Sequence, residues 1–303
     1  IAASGTLGIL IPPSIMLIIM ADLLSISVGT LFMSAIIPGL VLAAMYLTFV
    51  TSWARMVPSI APPLPRELLY VPSNELGPLL VRGFFPPVVL IAFIKGSILL
   101  GWATPSEAGA VGAFGAMFIA YFKGTLKWDV IKGVCQSSGL TIAMIFFIVM
   151  SATCFAYVFR SLGGDDVVED LILHAGLGSW GLLFLIMAIV FFLGFFLDWV
   201  EITLIVLPVF APLVAALDFA GHVADESKVY WFTVLVAINL QTSFLTPPFG
   251  FALFYMKGIA PKEVDIKNIY LGIIPFVLIQ VIGVLLVLAF PQIALWLPGL
   301  VYA

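Results

Sequence analysis

Asn239-Leu240-Gln241-Thr242-Ser243-Phe244-Leu245-Thr246-Pro247-Pro248-Phe249-Gly250 sets small polar residues ahead of a double proline inside apolar sequence. A related stretch stands near the start: Ser4-Gly5-Thr6-Leu7-Gly8-Ile9-Leu10-Ile11-Pro12-Pro13-Ser14. Two consecutive prolines remove two backbone N–H donors and exclude helix at the residue before them. In a bilayer, a broken helix leaves backbone groups that lipid cannot satisfy. Matching breaks in two halves of an apolar chain therefore point to a transporter's binding site.

The rest of the composition agrees with a bilayer. The chain of 303 residues is 63% hydrophobic and 9% charged, with a mean hydropathy of +1.24. Soluble domains carry about 25% charged residues, so this is a membrane chain with all-α spans. The net charge of −4 comes without any basic tract, which excludes a nucleic-acid surface. Cys135 and Cys154 fit no metal spacing and are expected to be packing residues. The chain opens at Ile1 within an apolar motif, without a start methionine or a leader pattern. A C-terminal portion of a longer protein is expected.

Apolar spans are expected at 1–21, 28–54, 84–102, 104–122, 138–159, 178–217, 229–256 and 270–297. The basic residues cluster in three connections: Arg55, Arg66 and Arg82; Lys123, Lys127 and Lys132; Lys257, Lys262 and Lys267. Such loops face the cytoplasm, which leaves the acidic loops 160–176 and 218–228 outside. On this count the first Pro-Pro element runs outward and the second inward. That is an inverted-topology repeat, a common build of secondary transporters.

Other polar residues have competing readings. Asp198 and Glu201 interrupt the apolar run 178–217. They are either the tip of a re-entrant hairpin, as ion ligands or a helix cap, or the end of two full spans at the far surface. Thr104-Pro105-Ser106-Glu107 reads as a helix start, with Thr104 as N-cap, Pro105 at N1 and Glu107 completing a capping box. Gly109, Gly112 and Gly115 form a small-residue face suited to close helix packing. Lys95 either snorkels or pairs with an acid. His174 and His222 are expected to be solvated loop residues. No phosphate-binding Gly-Lys-Ser/Thr loop and no His/Cys ligand spacing is present.

Several motifs occur in an order that resembles the large membrane subunit of TRAP (tripartite ATP-independent periplasmic) transporters. They are Gly5 to Ser14, Ile37-Pro38-Gly39, Ala103-Thr104-Pro105-Ser106-Glu107-Ala108-Gly109, Leu245-Thr246-Pro247-Pro248-Phe249-Gly250 and Lys257-Gly258-Ile259-Ala260-Pro261. Ile274-Pro275-Phe276, Phe290-Pro291 and Leu297-Pro298 extend the likeness to the end. The resemblance implies a multi-pass protein of a bacterial or archaeal inner membrane. It implies a sodium-coupled elevator that imports organic acid anions such as dicarboxylates, with sodium as coupling ion and no cofactor. A small transmembrane subunit and a periplasmic substrate-binding protein would be its partners.

Carried onto this chain, the resemblance assigns one sodium or substrate site to Ser4, Gly5, Thr6, Gly8, Pro12 and Pro13. It assigns the other to Gln241, Thr242, Ser243, Thr246, Pro247 and Pro248, with Asp198 and Glu201 at the hairpin tip. The implied layout is a first broken helix at 1–27 and scaffold at 28–102, with a cytoplasmic connector at 55–82. Second-repeat scaffold follows at 103–177. A re-entrant hairpin at 178–217, a second broken helix at 218–265 and a last scaffold helix at 266–303 complete it. The family's first hairpin has no counterpart in these residues. A stand-alone sodium/dicarboxylate symporter is the nearest alternative. An intramembrane enzyme or assembly subunit needs a nucleophile or metal site inside the bilayer, and no histidine stands with the intramembrane acids. A channel would spread its polar residues along a path, whereas here they gather at two breaks.

Overall fold

The computed structural model describes residues 2–59, 72–164, 167, 176–247, 250–260 and 264–302. These are helical, with no strand among the described residues. The chain divides into two compact units, residues 1–47 with 144–303, and residues 48–143. Among the described residues, six segments are long and apolar enough to cross a bilayer: Ala2–Leu23, Val28–Met56, Leu76–Ile98, Trp128–Phe159, Trp199–Ala216 and Ile266–Ala289.

In the larger unit, α1 (Ala2–Leu10) and α2 (Ile15–Leu23) flank the first double proline. Helix α3 (Val28–Met56) carries Pro38-Gly39 within its length and continues into the second unit. In that smaller unit, α4 (Ser73–Leu79) passes through a π-helical turn at Leu80–Phe84 into α5 (Phe85–Leu99). Part of the expected connector 55–82 is thus helical: α3 runs to Met56 and α4 starts at Ser73. Helix α6 (Pro105–Phe122) packs on α5. A Cβ at Gly112 would stand 2.8 Å from Ile94 Cδ1, and one at Gly115 would meet Leu90. The glycine face is therefore what lets α5 and α6 approach.

The start of α6 follows the expected capping box. The Thr104 N–H donates to Glu107 Oε2 at 2.8 Å, and the Glu107 N–H donates to Thr104 Oγ1 at 3.3 Å. Two of the helix's orphan donors are satisfied reciprocally. Helix α7 (Trp128–Ser161) is exposed along its length. Cys135 and Cys154 both lie on its exposed surface, not in packing positions. A helix that buries nothing in its own chain has no interior face for them to fill.

The remaining elements of the larger unit are α8 (Ser179–Leu193), α9 (Trp199–Ala216), α10 (Lys228–Ser243), α11 (Phe251–Ile259), α12 (Ile266–Ala289) and α13 (Gln292–Tyr302). The expected single span 270–297 is two helices, because Pro291 supplies no N–H and Phe290 leaves helical geometry at φ −128° and ψ 79°. Helix α10 is the axle of this unit. It packs against α1, α2, α8, α9, α12 and α13, and every residue from Trp231 to Ser243 is buried. A helix apolar all round belongs in a protein interior.

The N-terminal end of α10 is fastened to its neighbours by polar atoms. Lys228 is buried. Its ammonium donates to the Leu217 carbonyl and pairs with Asp225 at 2.6 Å. Trp231 Nε1 donates to Val287 O at 2.9 Å, and His222 Nε2 lies 2.9 Å from Leu288 O. Those carbonyls belong to the last turn of α12, which has no intrahelical donors left for them. His222 also packs edge-on against Trp180 and Trp231. It is a fixed structural residue, contrary to the expectation of a solvated one. His174 lies outside the described residues. Trp231→Phe removes the donor to Val287 O while keeping most of the ring. It is expected to destabilise by about 1–3 kcal/mol, read as a lower melting temperature of the detergent-solubilised protein.

Candidate functional site

Two broken helices meet in the larger unit. At the first, α1 is helical through Leu10, and the Ile11 N–H still reaches Leu7 O at 2.9 Å. The break is confined to Ile11–Ser14. Ser14 caps α2: its hydroxyl donates to the Ile9 carbonyl and accepts from the Leu17 N–H at 3.3 Å. The expected site residues Ser4, Gly5, Thr6 and Gly8 thus sit within α1 and not in the unwound turn. Thr6 is buried and donates to Ala3 O at 2.9 Å, whereas Ser4, Gly5 and Gly8 are exposed. Pro12 is buried and Pro13 half-buried. Gly39 of α3 faces the break closely: a Cβ there would stand 2.7 Å from Ile11 Cγ1.

The second break follows α10. Phe244 and Leu245 turn, Thr246 bends, and α11 begins after Gly250. Hydroxyls reinforce the last turn of the helix. Thr242 Oγ1 donates to Asn239 O at 2.6 Å, and Thr246 Oγ1 donates to Thr242 O at 2.7 Å. The Gly250 N–H closes a turn onto Thr246 O at 2.9 Å. Gln241 and Thr242 are fully buried, with Ser243 and Thr246 nearly so. Pro247 is half-buried, and Pro248 lies outside the described residues. Helix α1 packs against both α10 and α11, and α2 packs against α10, so the two breaks belong to one cluster.

The interruption at Asp198 forms a helical hairpin. Helix α8 ends at Gly194, and Asp198 stands at the N-cap of α9 without a side-chain cap bond. Both arms pack on α10. At 15 residues α8 is about 22 Å long, short of a ~30 Å hydrocarbon core. The tip meets the second break directly, because a Cβ at Gly194 would collide with the Ser243 hydroxyl. Asn239 Nδ2 donates to Met187 O at 2.7 Å and fixes α10 to the same arm.

On α9 and α10 several buried polar atoms have no hydrogen-bond partner among the described residues: both amide atoms of Gln241, Ser243 Oγ, Thr203 Oγ1 and Glu201 Oε2. Thr203 and Glu201 lie in the first two turns of α9, which begins at the tip. Orphaned buried polar atoms are rare in native proteins and ask for an unseen partner. Here they are all oxygens apart from one amide nitrogen. Oxygens of this kind, with the Thr hydroxyls, are what a hard monovalent or divalent cation takes as ligands. The expectation from sequence named Gln241, Thr242, Ser243 and Thr246. Gly194, Thr203 and Asn239 were missed. Nothing in the sequence sets Gly194 apart from other glycines of apolar helices; the capping role of Ser14 was missed too, although a serine directly after Pro-Pro and before an apolar run is a signal for an N-cap.

The described residues, helical throughout and with six segments long and apolar enough to cross a bilayer, define an all-α polytopic membrane protein. The family model described as "Tripartite ATP-independent periplasmic transporter, DctM component" matches residues 1–293. The chain belongs to that family. It is similar to the C4-dicarboxylate TRAP transporter large permease protein of Pseudomonas aeruginosa, with 28% identity over 98% of this chain and 66% of the relative. It is 32% identical to the 2,3-diketo-L-gulonate large permease protein of Escherichia coli, over 92% of this chain and 62% of the relative. The ectoine large permease protein of Halomonas elongata is 29% identical over 99% of this chain and 66% of the relative. The chain spans about two thirds of the length of these relatives.

Gly194→Ala is expected to push the tip off α10 and lower the melting temperature. Adding Ser243→Gly should recover much of the loss. Strictly additive effects in that cycle would mean that the two positions share no contact.

Proposed function

We propose that this chain is part of the large permease subunit of a sodium-coupled importer of organic acid anions. The observation that carries the reading is the close contact of the hairpin tip at Gly194 with Ser243 of the second break, where Ser243 Oγ and, two residues back on the same helix, the Gln241 amide are buried without a partner among the described residues. Sodium would take ligands from Gln241, Thr242, Ser243 and Thr246, with Asp198 or Glu201 contributing at the tip. Neutral oxygens at a helix C-terminal end suit a cation, because the carbonyl end of the dipole is negative. The helix N-termini after Asp198 and Gly250 would face an anionic group of the substrate. A second sodium site would form at the first break, around Ser4, Gly5, Thr6 and Gly8.

The short α8 arm supports a re-entrant hairpin, and the paired breaks support an inverted repeat. Residues 1–27 and 178–265 would move together as an elevator, with 28–177 and 266–303 as scaffold. Relatives are named for a C4-dicarboxylate, 2,3-diketo-L-gulonate and ectoine, so the fold accepts varied cargo. No arginine lies in either break to hold a carboxylate by two bonds. Selectivity would then rest largely with a periplasmic binding protein. A small membrane subunit would support the scaffold in the inner membrane.

Uptake into proteoliposomes holding the full-length subunit, its small partner and the binding protein tests this. Uptake is expected only with an inward sodium gradient and the binding protein. Sodium-driven uptake without binding protein would indicate a stand-alone symporter. Thr242→Ala and Thr246→Ala are expected to weaken sodium dependence, read as the sodium concentration needed for half-maximal uptake, more than they weaken folding. Unchanged sodium dependence in both would remove the second-break site.

Gln241→Leu separates a ligand role from a packing role. Removing an unpaired amide should stabilise the sodium-free protein by about 1–3 kcal/mol. The same variant should lose the added thermal stability that sodium gives the wild type. A destabilised sodium-free variant would make Gln241 a structural residue.

A further inference from the structure

A groove of about 470 Å³ opens within the larger unit between α2, α7 and α9. Its walls include Leu23 of α2, Val149, Ala152 and Thr153 of α7, and Pro208 and Ala211 of α9. The hollow has a sequence cause. On α9, Pro208, Ala211, Pro212 and Ala215 place small or ring side chains on one face, where neighbouring positions carry Leu and Val. Ala152 does the same on α7.

Three occupants compete for such a space. A void this size is about three times a dry engineered cavity of roughly 150 Å³, and it is open to its surroundings, so it does not stay empty. Water needs about 2–4 polar partners. The one polar side chain among the described lining residues is Thr153, whose hydroxyl already donates to Val149 O at 2.8 Å. Hydrocarbon needs none. All three walls belong to segments long and apolar enough to cross a bilayer. The α7 wall continues into a lipid-suited surface of Phe146, Phe147 and Met150, which are 64%, 73% and 70% exposed. Val149 and Ala152 lie on α7 about 10–15 Å before Phe159, where that span ends, inside the hydrocarbon depth.

We propose that the groove between α7 and α9 is a binding site for one acyl chain of a bilayer phospholipid. The chain would enter at the end marked by Leu24, Ala215 and Val229 and lie along the proline face of α9. It would be held longer than lipid at the open faces of α7, because it is covered on three sides and buries more apolar surface. The inference stands on the groove and its membrane setting, and holds whatever the protein transports.

The test uses full-length protein in nanodiscs of phosphatidylethanolamine and phosphatidylglycerol, doped with a phospholipid carrying a diazirine mid-chain. After photolysis, cross-links are mapped by mass spectrometry. Labelling at Val149, Ala152 and 208–215 is expected to exceed that at Met150 and 140–147, on the open surface of α7, several-fold. Ala211→Phe fills the groove and should abolish the excess while labelling at 140–147 stays unchanged. Ala152→Phe, from the opposite wall, should do the same if Ala211→Phe fails to fold. Groove labelling no greater than at 140–147, or unaltered by both fillings, overturns the proposal. So does labelling that appears only when the small membrane partner is absent, which would assign the groove to a partner helix. Rapid alkylation of Thr153→Cys by a membrane-impermeant maleimide, with Cys135 and Cys154 replaced by Ala, would show a water-filled groove and also overturn it.

Discussion

A helix with no outward face governs the larger unit. Helix α10 is covered on every side from Trp231 to Ser243, so each polar group on it must find a partner inside the protein. At its N-terminal end that demand is met. Lys228 holds the Leu217 carbonyl and Asp225, and Trp231 holds Val287. Further along, Asn239 reaches Met187 on α8. At the C-terminal end the demand is met only in part, because Gln241 and Ser243 have no partner among the described residues. One helix thus runs from a saturated end to an unsaturated one, and the unsaturated end is where the chain breaks and the hairpin arrives.

The break does not unravel, because side chains reinforce the last backbone turn. Thr242 and Thr246 hydroxyls donate to carbonyls three and four residues back, and the Leu245 N–H also reaches Thr242 O, so the turn is closed before Pro247, which has no N–H to offer. Gly194 is the matching provision on the hairpin, since any side chain there would displace Ser243. Both devices use small groups to bring backbone close without charge. The first break is built differently. Its Ser14 is committed to capping α2, and its hydroxyl-bearing Thr6 is committed within α1. The two breaks are alike in sequence and unlike in how much polar capacity they leave open.

What the sequence disclosed follows the range of the physics involved. The capping box at Thr104, the glycine face of α6 and the two proline breaks are short-range signals, set by residues within four positions of each other. Each was legible. The contact between Gly194 and Ser243, the anchoring of His222 on Leu288 and the bond from Asn239 to Met187 join residues about 50 or more apart in the chain. Periodicity carries no trace of them. The exposure of Cys135 and Cys154 escaped for a related reason: apolar sequence is the same whether a span faces protein or lipid. Phe290-Pro291 was seen as a motif but not as a helix boundary, although the proline supplies its own reason for one.

The kind of polar residue at the second break bears on how a coupled cycle can run. Under the proposed function the site must stand empty on the return step. A buried carboxylate without a partner would make that step expensive, since an uncompensated buried ion costs several kcal/mol. Gln241, Thr242, Ser243 and Thr246 are neutral, and an unsatisfied neutral group costs about 1–3 kcal/mol. That penalty is small enough for the empty state to persist and large enough for a cation to relieve on arrival. Asp198 and Glu201 are the two acids at the tip, and both are half-buried, not sealed, with Glu201 Oε2 buried without a partner among the described residues. A site of neutral oxygens beside two partly solvated acids can therefore gain stability from sodium without requiring it to exist.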